Sequence, residues 1–88
     1  MDIRVSPDEL EQTASKFENL ARELDNVRKS MKSANDQLQA SWNGKGAEKF
    51  NNFFEEMNST ITSFIGNVPE LSKDLRTAAE NYRGADNA

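Results

Sequence analysis

The chain contains no cysteine and no histidine in its 88 residues. The first absence excludes a disulfide to support a small fold, and the two together exclude a zinc site of the usual kind. Serine has no histidine to activate it, and there is no thiol nucleophile. General acid–base work then needs a buried, environment-shifted carboxylate, and the acids here fall on polar helical faces. Gly44-Lys45-Gly46 lacks the spacing of a phosphate loop and has no strand before it. The chain is therefore not expected to be an enzyme, and no cofactor or metal is expected. No apolar run approaches the length of a membrane span, so no stable membrane insertion is expected. The first residues, Met1-Asp2-Ile3-Arg4-Val5, have neither an apolar core segment nor a small-residue cleavage site. By this test the protein is made and kept in the cytoplasm, although the test detects only the general secretory route. Positive charge is also short. Eleven bases against fifteen acids give a net charge of −4, the wrong sign for nucleic acid or for adsorption to anionic lipid.

What is present is helical. Ser6-Pro7-Asp8-Glu9 is a strong helix start. The Ser6 hydroxyl can accept from the Glu9 N–H while Glu9 reaches back to Ser6. Pro7 falls where its missing N–H costs nothing, and two acids sit at the positive end of the helix dipole. Val5 and Leu10 have the spacing of a hydrophobic staple, and Ile3 and Val5 can lie as a short extended lead-in. From Leu10 the steps alternate three and four, and eight of the ten positions are apolar: Leu10, Thr13, Phe17, Leu20, Leu24, Val27, Met31, Ala34, Leu38, Ser41. This is a heptad seam. Ala14 and Ala21 run beside it and permit close approach by a neighbouring helix. Glu18–Arg22 and Asp25–Lys29 are acid-before-base pairs one turn apart on a solvated face.

The pattern stops at the single tryptophan. Asn43 and Gly44 are residue types that enter the left-handed conformation ending a helix, and Gly46 eases the bend further. So short a connection makes the helices antiparallel. The second seam is stricter: Ala47, Phe50, Phe54, Met57, Ile61, Phe64, Val68, Leu71, Leu75, Ala78, Tyr82. Phe53 and Ile65 lie off it. Pro69 lacks a donor and crowds the Ile65 carbonyl. The seam keeps its phase across Gly66-Asn67-Val68-Pro69, which favours a kinked helix over a break. The expected organisation is one domain over 1–88: helix 1 about 7–41, bend 42–46, helix 2 about 46–83 kinked near Pro69, and a flexible tail 84–88.

Two helices have a seam but no interior. Chains this short bury only about 60% of their unfolded surface, and composition is lean at 35% hydrophobic. Phe53, Phe54, Ile65 and the Ala14/Ala21 row widen the apolar band past one seam. The expected fold is all-α: an antiparallel two-helix hairpin that dimerises into an elongated four-helix bundle. Its packing residues are Leu10, Phe17, Leu20, Leu24, Val27, Met31, Leu38, Phe50, Phe53, Phe54, Met57, Ile61, Phe64, Ile65, Val68, Leu71 and Leu75.

The length, the two helical halves, Trp42-x-Gly44 at the bend and Tyr82-x-x-x-Asp86 near the end occur together. The chain resembles the WXG family of roughly hundred-residue type VII secretion substrates, the ESAT-like or Esx proteins of Gram-positive and actinobacterial cells. The resemblance covers the whole chain. It implies a protein made in the cytoplasm and exported, without a cleavable signal peptide, as a folded dimer by a machine with an FtsK/SpoIIIE-like ATPase. It implies a homodimer or pairing with a paralogous WXG-family protein, with Tyr82 and Asp86 as the secretion signal. Gly84 departs from the pattern, because a helix ending at Arg83 leaves Tyr82 and Asp86 free to diverge. Trp42 and Tyr82 lie at opposite ends of one hairpin, but an antiparallel dimer brings Trp42 of one subunit beside Tyr82 of the other. The alternative is a non-exported helical adaptor or chaperone that pairs with a larger toxin.

Overall fold

The computed structural model describes residues 5–87, with side chains through residue 85. Two helices, α1 (Pro7–Ser41) and α2 (Lys45–Asn87), form an antiparallel hairpin, and no strand occurs among the described residues. Ser6 is extended at the start of α1, and its Oγ accepts from the Glu9 N–H at 3.1 Å. The reciprocal Glu9 bond is not formed. The Leu10 N–H donates to the Ser6 carbonyl at 3.2 Å, which closes the first turn. At the other end, Trp42 turns extended (φ −121°, ψ 120°) and stops α1. Gly44 then takes φ 111°, a value that L side chains rarely adopt. Its carbonyl accepts from the Glu48 N–H at 3.1 Å and opens α2.

The 43 residues of α2 would span about 64 Å at the α-helical rise. The whole molecule measures 66 × 22 × 17 Å, so α2 runs its full length. The helix is unbroken at Pro69. Pro69 and Gly66 are both exposed, so water can reach the backbone where the proline withholds its donor.

The C-terminal end departs from expectation. The helix passes its expected end at Arg83 and continues through Gly84 to Asn87. The physical reason lies one residue earlier, where Arg83 is tied to the first turns of α1 (below). Ala88 and the Ile3 half of the lead-in lie outside the described residues.

The interface between the helices also differs from the expected seam. Its buried residues are Ala14 and Ala21 on α1, facing Ala47, Phe54, Val68 and Ala79 on α2, with Asn35 and Ser72. On α1 the buried residues Ala14, Ala21 and Asn35 therefore share one heptad position, with half-buried Arg28 between Ala21 and Asn35, beside the large apolar row. Small residues allow two backbones to approach closely, so the alanine edge of the stripe turns inward. Polar side chains fill the remaining contacts. Asn35 Nδ2 donates to Asn51 Oδ1 at 2.9 Å, and Gln39 Nε2 to the Ala47 carbonyl at 3.2 Å. Arg28 is held by Asp25 and reaches Asn58 Oδ1 at 3.4 Å. Glu18 does not pair with Arg22. It accepts from Arg76 across the hairpin at 3.0 and 3.2 Å and from the Ser72 hydroxyl at 2.5 Å. Arg22 bonds Asn19 instead. Asp25–Lys29 does form, at 3.2 Å. No buried side-chain nitrogen or oxygen lacks a partner among the described residues, so this polar interface avoids the cost of unpaired buried groups.

Candidate functional site

Three features of the hairpin can engage a partner: an outer apolar face, the bend, and the C-terminal end of α2. The outer face collects what the alanine interface leaves out. Leu20 (47%), Val27 (50%), Leu38, Phe50, Phe53 (62%), Phe64 and Leu71 are exposed. Leu10, Phe17, Leu24, Met31, Met57, Ile61, Ile65 and Leu75 are half-buried, and only Phe54 and Val68 of the predicted packing residues are buried. Near the bend, this face forms an open groove of about 200 Å³ lined by Met31, Ala34, Leu38, Phe50, Phe53 and Met57, with Phe54 and Asn35 at its base. Exposed large apolar residues in this number mark an interaction surface rather than a finished exterior.

At the bend, the Trp42 ring lies across Gly46. A Cβ built on Gly46 would stand 3.0 Å from Trp42 Cζ2. Gly46 thus belongs to α2 and seats the indole; the turn itself is made by Gly44. Phe50, one turn further, meets Trp42 with ring centroids 6.2 Å apart and planes at 52°, a tilted aromatic pair. Trp42 remains 39% exposed, so one edge of the indole stays available at the tip.

At the far end, Tyr82 is half-buried. The continuous helix places backbone positions 82 and 86 one turn apart on one side. The side chain of Asp86 lies outside the described set. Beside Tyr82, the Arg83 guanidinium donates to Glu11 Oε1 at 2.6 Å, Glu11 Oε2 at 3.3 Å and Asp8 Oδ1 at 2.7 Å. Arg83 holds the Glu11 carboxyl below its ordinary pKa, chiefly by hydrogen bonding, with partial burial opposing. The same bonds from Glu11 and Asp8 raise Arg83. The sequence reading gave Gly46 a part in the bend rather than in seating Trp42, made Arg83 only the helix end, and did not find the Glu18–Arg76 pair. An arginine seven residues beyond another, opposite two acids of an antiparallel partner, was the available signal, but reading it requires the register across the bend.

Among the described residues, no cluster of acids has the grouping of a metal site, and no helix is long and apolar enough to cross a membrane.

Comparison with known proteins adds to this geometry. Residues 2–87 match the family model WXG100, proteins of 100 residues with WXG. Among solved structures, wild-type secreted protein EsxB from Bacillus anthracis str. Sterne aligns with TM-score 0.80 at 26% identity, covering 96% of this chain and 98% of that one. Its selenomethionine form aligns with TM-score 0.77 at 27% identity, covering 98% of each chain. A point variant of it aligns with TM-score 0.79 at 26% identity over 94% and 99%. No curated protein matches.

Proposed function

Because the chain belongs to the WXG100 family, we infer that it is an Esx-type secreted protein, exported as a folded helical dimer by a type VII secretion machine. The observation that carries this reading is the division of the apolar stripe. The hairpin uses Ala14, Ala21, Ala47 and Ala79 internally and leaves Leu20, Val27, Phe50, Phe53, Phe64 and Leu71 facing outward. A second hairpin laid against that face encloses them and completes a four-helix bundle. A second copy of the chain is the simplest source, and a paralogous WXG-family protein presents the same kind of face. The relative EsxB is described as a secreted protein, and the likeness extends over nearly the whole of both chains.

Recognition is assigned to the two ends. Tyr82 and Asp86 form the element read by the ATPase of the machine. Lys45, at the start of α2, and Tyr82 are separated by about 56 Å of helix, so the Trp42 tip and Tyr82 do not meet in one hairpin. In an antiparallel dimer, the exposed edge of Trp42 from one chain lies beside Tyr82 of the other. The composite surface then exists only in the dimer, and unpaired chains are not exported. The test is export of Trp42→Ala and Tyr82→Ala from the native host. Both are expected to accumulate in cells as folded dimers, and normal export of both refutes the shared surface. Retention of the unaltered protein inside the cell, bound to a larger toxin, would favour an adaptor.

A further inference from the structure

Gly84 stands in the last turn of α2, where a glycine and a free chain end both favour fraying. The helix nevertheless continues past it to Asn87. What precedes it is a cross-hairpin clamp. One guanidinium makes a two-pronged contact with Glu11 and a third bond to Asp8. Ala14 and Ala79, both at 0% exposure, bring the helices together about one turn below, which puts Arg83 within reach of the first turns of α1. A fork-to-fork contact of this kind fixes direction as well as distance.

We propose that the Arg83–Glu11–Asp8 latch is a positioning device for the export element, fixing the direction in which Tyr82 leaves the end of the hairpin. It makes the acidic first turns of α1, remote in sequence, part of how the C-terminal signal is presented. The proposal rests on the reading of Tyr82-x-x-x-Asp86 as that signal. The latch is separate from the hairpin's internal support. Glu18, Ser72 and Arg76 already form a cross-helix network toward the middle, and the alanine contacts lie between the two. Arg83 thus acts at the end of the rod, one residue from Tyr82, where its loss frees the last turn while the rest of the interface remains.

The experiment compares four full-length chains in the native host: unaltered, Tyr82→Ala, Arg83→Glu, and the swap Arg83→Glu with Glu11→Arg. It measures the exported share, the dimer by gel filtration, and amide hydrogen exchange across residues 82–87 of the purified proteins. Arg83→Glu is expected to keep the dimer, speed exchange in that segment and lower export. The swap is expected to restore slow exchange and export together. Unchanged export of Arg83→Glu, with Tyr82→Ala blocked, overturns the latch but not the signal. A swap that restores slow exchange without export also overturns it, because the machinery then reads the positive charge of Arg83 directly. Normal export of Tyr82→Ala overturns the signal itself.

Discussion

Leu20→Ala is the sharpest probe of the outer face. Leu20 lies on α1 next to buried Ala21, yet it is 47% exposed in the isolated hairpin. The part already covered contributes to the hairpin; the exposed part contributes only when a partner covers it. Full burial of a leucine is worth about 1.5–3 kcal/mol, so covering the exposed half contributes roughly 1 kcal/mol per chain. A symmetric dimer doubles this to about 2 kcal/mol, or roughly 30-fold in the dissociation constant. A cavity left unfilled in the bundle adds to the loss. Sedimentation equilibrium over a dilution series, followed in parallel by circular dichroism, separates the two contributions. The expected result is a dimer weakened by about that factor while samples concentrated enough to be dimeric keep the helix signal, since alanine is the stronger helix former. A dissociation constant within threefold of the unaltered chain would refute the assignment of this face to the partner.

Three further substitutions test the hairpin. Gly44→Ala meets no neighbour, so its cost is the strain of φ 111°, about 1–3 kcal/mol, read as a melting temperature lowered by several degrees. Ala14→Leu inserts bulk at 0% exposure; a loss of about 1–3 kcal/mol is expected, with weakened protection of the amides around Ala79 in hydrogen exchange. The Glu11 carboxyl is held below its ordinary pKa by Arg83. Its contribution is therefore present above the ordinary carboxylate range and lost as pH falls through the lowered folded value. Glu11→Gln should flatten the acid limb of melting temperature against pH, leaving the part due to Asp25, which Arg28 and Lys29 lower in the same direction.

Much of the fold is written in local chemistry. Ser6 and Pro7 announce the start of α1, and the strict heptads state that the halves are helices that must pack. The hairpin follows from these and from the shortness of the connection. What local pattern does not encode is which edge of a wide apolar stripe turns toward the chain's own second helix. Large residues draw attention, but the close internal contact belongs to Ala14, Ala21, Ala47 and Ala79, because only small side chains let the axes approach. The polar contacts were hidden for a related reason. Asn35–Asn51 and Glu18–Arg76 join residues whose pairing depends on the register across the bend, whereas Glu18–Arg22, visible within one helix, does not form. The helix runs past its expected end at Arg83 because a glycine signals a stop only when nothing else holds the turn, and Arg83 is bonded across the hairpin to Glu11 and Asp8. At the bend, Gly44 and Gly46 look alike in sequence and do different things, one turning the chain and the other seating Trp42.

The central claim is export directed by the C-terminal end of α2. Deleting residues 82–88 in the native host, and comparing protein in the medium with protein in the cells, tests it most directly. The account predicts that the shortened chain stays in the cells as an intact dimer while the full chain reaches the medium. Secretion of the shortened chain at the level of the full one would contradict it.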